Sequence, residues 1–297
     1  MRDHCAPASV IPSCMALAIV HAIAELVTDM STNAVPKHIT QGRLPGLWTA
    51  LGLIAMYFLL QMVIGSVIGI IIGFATGIAR HGGSAAGIDA QLQTVMTQPD
   101  THSLLAIITL PLAALIILYV ARQYWPTLWA LRQPPGLGMA HPTSPVFYGI
   151  AVGMGLLMPM LGGYITQVLA HGQEVSQNVV QMGRGTSGEL RIPLLLIVIS
   201  IGPLVEELLF RGVLLSALMQ RLRLGVAVAV CVVLFAAVHL PGLDFKWYAL
   251  PDLMLLAAAL CWLRLKSGSL WPAVLAHGVN NLFAMTAVFI AAAQQHV

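Results

Sequence analysis

A run of about 20 apolar residues is long enough to cross the hydrocarbon core of a bilayer as a helix. This chain contains seven stretches near or above that length, at 47–78, 104–121, 146–170, 192–218, 224–240, 249–265 and 270–293. Lipid offers no partner for backbone N–H and C=O groups, and a helix is the form in which one segment satisfies them by itself. Of the 297 residues, 58% are hydrophobic and only 8% are charged, against about 25% charged in a soluble domain. So few charges cannot cover a water-facing surface. The expectation is an all-α fold, a polytopic transmembrane helix bundle of 7–8 spans, with the lipid bilayer as its surroundings. The stretches 224–240 and 249–265 are the short ones and are expected to tilt or to end inside the bundle.

The eighth span is a matter of residues 10–27, apolar but interrupted by His21 and Glu25. They read as an uncleaved helix, because Arg2 is followed at once by Asp3 and the start is barely basic. The alternative is a signal peptide, with Ala22-Ile23-Ala24 resembling a cleavage site. With the segment before 47 on the cytoplasmic side, the inner loops hold nine basic residues: Arg2, Lys37, Arg43, Arg122, Arg132, Arg221, Arg223, Arg264 and Lys266. The outer loops hold four, Arg80, Arg184, Arg191 and Lys246, the asymmetry that the positive-inside rule describes. A bacterial inner membrane fits, in a chain without eukaryotic targeting signals. The formal net charge of +3 gives no basic stripe, so no nucleic-acid partner is expected. Cys5, Cys14, Cys231 and Cys261 form no C-x-x-C pair and read as small apolar packing residues. Gly65, Gly69, Gly73 and Gly77 recur every four residues on one face of the first span, a pattern for close helix–helix packing. Pro and Gly cluster at 133–145 as a connecting loop.

The informative residues are those that do not belong in lipid. Glu206, Glu207 and Arg211 sit inside the fourth stretch, where each charge costs about 2.5–3.5 kcal/mol. Glu207 and Arg211 are four apart and can pair along one helix face. Glu206, rotated by about 100°, has no partner in its own helix and must find one elsewhere. His239 ends the fifth stretch just before Pro241-Gly242, with Phe235 one turn earlier. His277 and Asn281 share a face of the last stretch, and Asn280 faces elsewhere. Groups this costly turn toward the bundle interior. There, a carboxylate in apolar surroundings serves as a base, a histidine helps to activate water, and His or Asn donors stabilise an oxyanion. The same atoms have a rival use, since Glu206, His239 and His277 could hold zinc with an open fourth position. A structural polar network is the bland alternative.

Glu-Glu-x-x-x-Arg (Glu206, Glu207, Arg211), Phe-x-x-x-His (Phe235, His239) and His-x-x-x-Asn (His277, Asn281), in that order in successive spans, resemble the three motifs of the CPBP family. That family comprises the type II CAAX prenyl proteases and the bacteriocin-processing or self-immunity membrane proteins. Gly212 after the arginine and Ser269-Leu270-Trp271-Pro272 before Ala276-His277-Gly278 fit the same pattern, and the likeness covers about 190–290. The resemblance implies an intramembrane endopeptidase acting on a membrane-associated peptide or protein. In it Glu206 is the general base with His239, Glu207 is held by Arg211 and orients the site, His277 and Asn281 form the oxyanion site, and Phe235 packs beside them. It implies no catalytic metal, with zinc as the alternative. The chain then divides into an N-terminal segment at 1–46, supporting helices at 47–190 and a catalytic helical core at 191–297. The same family admits a non-enzymatic reading, a membrane immunity or scaffold protein. Acidic residues in spans also suit a proton-coupled transporter, but no internal repeat is visible. One tension stands: by these spans His239 lies near the outer side and His277 nearer the inner side, so they meet only if the fifth stretch is short and ends at mid-depth.

Overall fold

The structure, a computed structural model, describes residues 44–81, 89–90, 93–94, 97–171 and 185–294. The expected helix at 10–27 and its cleavage, Cys5 and Cys14, and Arg2, Lys37, Arg43 and Arg184 of the loop charges lie outside these residues. The helices are α1 Leu47–His81, α2 Pro99–Tyr124, α3 Val146–Leu169, α4 Gly188–Ile199, α5 Ile201–Glu207, a π-helical segment Leu208–Leu214, α6 Leu215–Met219, α7 Leu224–Ala237, α8 Leu250–Ser267 and α9 Trp271–Gln294. The described residues form no strand. All seven apolar stretches are helical, and the chain is a multi-pass membrane protein. Six helical stretches are long and apolar enough to cross: Leu47–Thr76, Pro99–Tyr124, Val146–Leu169, Gly188–Met219, Trp247–Ser267 and Trp271–Ile290. The seventh, α7, has 14 residues and rises only about 21 Å, short of the roughly 30 Å of hydrocarbon.

α9 packs along α3, α3 also lies against α8, and α7 closes on α8. On the other side α1 packs on α2, and α2 on α4 and α5. The glycine stripe serves the α1–α2 contact. The position a Cβ would take at Gly65 lies 3.6 Å from Thr109 Cγ2, and Gly69 and Gly73 are buried. Outward, α1 shows Leu59, Met62, Val63, Val67, Ile70, Ile71 and Phe74, a surface that belongs in lipid.

The connecting loop departs from the simple picture of a surface linker. Trp125, Leu128 and Leu137 are buried, and Arg264, expected among the inner loop charges, is fully buried in α8 beneath them. Its guanidinium donates to Arg132 O at 2.5 Å and Gly136 O at 2.7 Å. Gly138, at φ +76°, runs so close that a Cβ there would lie 2.6 Å from Arg264 Cζ. Loop carbonyls thus solvate a charge that cannot face lipid. Cys231 and Cys261 are buried free thiols, as small packing residues should be.

The fourth stretch is one span in length but not one helix. Pro203 has no N–H for Ile199 O, four residues back, and the chain breaks at Ser200, with φ −123° and ψ −69°. α9 closes over the break. Asn281 Nδ2 donates to Val198 O at 3.0 Å, and Gly278 lies against Ile199 O, 2.3 Å from where a Cβ would be. The obstructing atom is backbone and cannot swing away. Gly278→Ala is therefore expected to lower stability by about 1–3 kcal/mol and to pull α9 off the break. Thermal unfolding in detergent checks this, and an unchanged melting temperature would count against the contact.

Candidate active site

Below the break, the sequence puts Glu206 and Glu207 on the last turn of α5, directly before the π-helical segment. A π segment carries more residues per turn than an α-helix and is frequent at functional sites. All seven of its residues are buried. Arg211 lies within it and still reaches back one turn, donating through Nη1 to Glu207 Oε1 at 2.8 Å, with both side chains fully buried. Its Nη2 donates to Ala257 O of α8 at 3.2 Å, and its guanidinium covers the Phe235 ring at 4.3 Å.

α7 brings Phe235, and the turn just after it brings His239. Phe235 is at the centre of the aromatic contacts, 5.1 Å from Phe210, 4.8 Å from the His239 ring and 5.9 Å from the His277 ring. His239 Nδ1 lies 2.7 Å from Phe235 O. A carbonyl only accepts, so Nδ1 carries the proton and Nε2 is the free ring nitrogen of a neutral imidazole. His277 Nδ1 is 3.0 Å from Glu207 Oε1, and a carboxylate likewise takes the Nδ1–H. Its Nε2 is also left free.

Both free nitrogens turn to the same atom. Glu206 Oε2 lies 3.8 Å from His239 Nε2 and 3.9 Å from His277 Nε2. The partner that Glu206 lacked in its own helix is therefore a pair of imidazoles from two other helices. His239 and His277 meet because α7 is short, which removes the tension between their depths. The site is graded in exposure: Glu207 and Arg211 are at 0%, His277 at 6%, Glu206 at 21% and His239 at 33%. The opening is on the Glu206–His239 side.

Three acceptors facing one another at 3.8 and 3.9 Å are too far apart for direct hydrogen bonds and of like kind. A small donor between them, such as water, satisfies them. Zinc fits the donor set, since each imidazole is oriented through its other nitrogen as metal-binding histidines are. It does not fit the spacing. Bonds of about 2.0–2.1 Å put tetrahedral donors roughly 3.4 Å apart, and among the described residues no group of three His, Cys, Asp or Glu side chains is arranged to hold a metal ion.

Of the seven residues singled out in the sequence, six form one contiguous cluster. The seventh, Asn281, sits one turn beyond His277 and spends one amide hydrogen on Val198 O. Asn280 Nδ2 donates to Asn281 Oδ1 at 3.4 Å. The positioning role of Gly278 was not evident. Its signal in the sequence is Pro203, three residues before Glu206, which frees a carbonyl that some other helix must approach.

No curated protein and no solved structure matches the chain. A family model does. Residues 188–283, which run from the start of α4 through the His277–Asn281 turn of α9 and hold every residue of the cluster, match the family described as Type II CAAX prenyl endopeptidase Rce1-like. Over those residues the chain is similar to a family of membrane proteases.

Proposed function

We propose that this protein is an intramembrane endopeptidase that hydrolyses a peptide bond in a membrane-associated peptide or protein, with residues 191–297 as its catalytic core and 47–190 as supporting helices. The observation that carries this reading is the convergence of Glu206 Oε2 and the free Nε2 atoms of His239 and His277, 3.8 and 3.9 Å from it. A water that donates to Glu206 and His239 turns an oxygen lone pair toward a substrate carbonyl, and Glu206 takes its proton as it attacks.

His277 is the second half of the reading. Glu207 holds its Nδ1 at 3.0 Å, as an acidic residue orients and supports an imidazole that gains positive charge in other hydrolases. In the protonated form its Nε2–H donates to the oxyanion of the tetrahedral intermediate. Asn281 keeps one amide hydrogen beyond the one given to Val198 O, and the reading assigns it to the same oxygen. The mechanism uses no metal.

The test is cleavage of a membrane-anchored peptide library by purified protein, wild type against Glu206→Gln, with and without chelator. Glu206-dependent cleavage that survives the chelator is expected. Loss with chelator and recovery with zinc would make the centre metal-dependent. A phenotype of the protein in cells that survives Glu206→Gln would instead favour an immunity or scaffold role, in which the cluster is a structural network.

A further inference from the structure

His239, the most exposed member of the cluster, is followed at once by a segment that shows two large aromatic rings. Residues 240–249 join α7 to α8. Leu243 and Ala249 are buried and pin this segment to the bundle, while Phe245 and Trp247 are 71% and 65% exposed. The segment is tied to the site through its backbone. His239 is the N-cap residue of the 3-10 turn Leu240–Leu243, and Phe245 N–H donates to Leu240 O at 3.0 Å. Two more amides close within it, Lys246 N–H on Leu243 O at 2.9 Å and Ala249 N–H on Lys246 O at 3.1 Å. A non-helical segment at membrane depth needs such internal partners.

Its depth follows from α7. Exposed Arg221 and Arg223 mark the near surface, just before Leu224. From there α7 rises about 21 Å through roughly 30 Å of hydrocarbon, so the segment begins about 9 Å below the far boundary. Trp247 also opens the next apolar span, Trp247–Ser267. Aromatic rings collect at this boundary between acyl chains and headgroups. The backbone adds a second sign. Asp244 and Phe245 are both left-handed, at φ 51° and 58°, a conformation that disfavours bulky L side chains. A phenyl ring kept where glycine would relax the backbone points to a task for the ring. We propose that Phe245 and Trp247 are an interfacial anchor: they insert into a phospholipid leaflet and seat the His239 side of the site at the level of its headgroups and upper acyl chains. The site then takes its peptide from that leaflet rather than from bulk water. This rests on the reading of Glu206 and His239 as the reactive centre.

Phe245→Gly combined with Trp247→Gln tests it. Glycine suits the left-handed backbone, so the variant should fold, with an unchanged melting temperature in detergent. In phosphatidylcholine vesicles its kcat/KM on a membrane-anchored peptide should fall by roughly 10-fold, because a mouth no longer held at the depth of the substrate loses proximity. The same peptide without its anchor should be cleaved as by the wild type. An equal fall on both peptides, or none on the anchored one, would overturn the anchor. A second readout needs no turnover. The fluorescence contributed by Trp247, taken as the difference between wild type and Trp247→Phe, should be quenched more strongly by phosphatidylcholine brominated on its acyl chains than by aqueous iodide. The reverse order would put the ring in water and overturn the anchor, whether or not any peptide is cleaved. Full cleavage by Glu206→Gln would overturn the reading of the reactive centre, while the quenching still decides the anchor.

Discussion

Arg211→Ala is expected to destabilise the protein by about 3–5 kcal/mol, the range for breaking a buried ion pair from one side. Glu207 is fully buried, and its Oε1 accepts from Arg211 at 2.8 Å and meets His277 Nδ1 at 3.0 Å. Without the guanidinium, the carboxylate keeps its burial and loses its counter-charge. Two further contacts go with it, the bond to Ala257 O at 3.2 Å and the stacking on Phe235 at 4.3 Å. Arg211→Lys should recover only part, because an ammonium on a flexible stem cannot hold Glu207 and the α8 carbonyl in one planar fork. Arg211→Met together with Glu207→Gln should be far milder than Arg211→Ala alone, since no charge is left stranded. Denaturant unfolding in detergent micelles measures all three. A single Arg211→Ala variant within about 1 kcal/mol of wild type would contradict the pairing.

Glu206→Gln should behave in the opposite way: cleavage should fall by about 10²–10⁴-fold, the contribution of a positioned general base, while stability hardly changes. Glutamine has the shape of glutamate, Glu206 Oε2 makes no hydrogen bond among the described residues, and removing one of two neighbouring carboxylates relieves repulsion. The two neighbours in sequence therefore separate in their effects. Loss of Glu207's arginine should be felt in folding, and loss of Glu206 in turnover. The same unfolding assay, run beside the cleavage assay, resolves them. A Glu206→Gln protein that loses activity only because it unfolds would remove the reason to call Glu206 the base.

Much of this was legible in the chain itself. A span costs apolar length, so the seven helices could be read from hydropathy, and charges in lipid are so costly that Glu206, Glu207, Arg211, His239 and His277 announced a shared interior. The i, i+4 spacing of Glu207 and Arg211 survived even a π-helical segment. Other features depend on where helices meet. Arg264 looks like a loop charge by sequence position, and only the fold of residues 125–145 shows that carbonyls enclose it. Asn281 shares a face with His277, but that its amide would be drawn to Val198 O follows from the break at Ser200. The fourth stretch read as one helix, because a proline in an apolar run does not say whether the span kinks, breaks or simply continues.

The break at Ser200 and the helix laid over it also bear on how such a chain matures in the bilayer. Glu206 and Glu207 enter lipid with α5, but His239 arrives later, just after α7, and His277 later still on α9. Until α9 docks on them, the carbonyls of Val198 and Ile199 at the break have no cover. Such an intermediate bears more of the penalty of bare polar groups in hydrocarbon than the finished protein does. The meeting of Glu206 with both histidines and the cover of those carbonyls come into being in one docking event, so an immature chain is conspicuous to whatever surveys the membrane for misassembled helices.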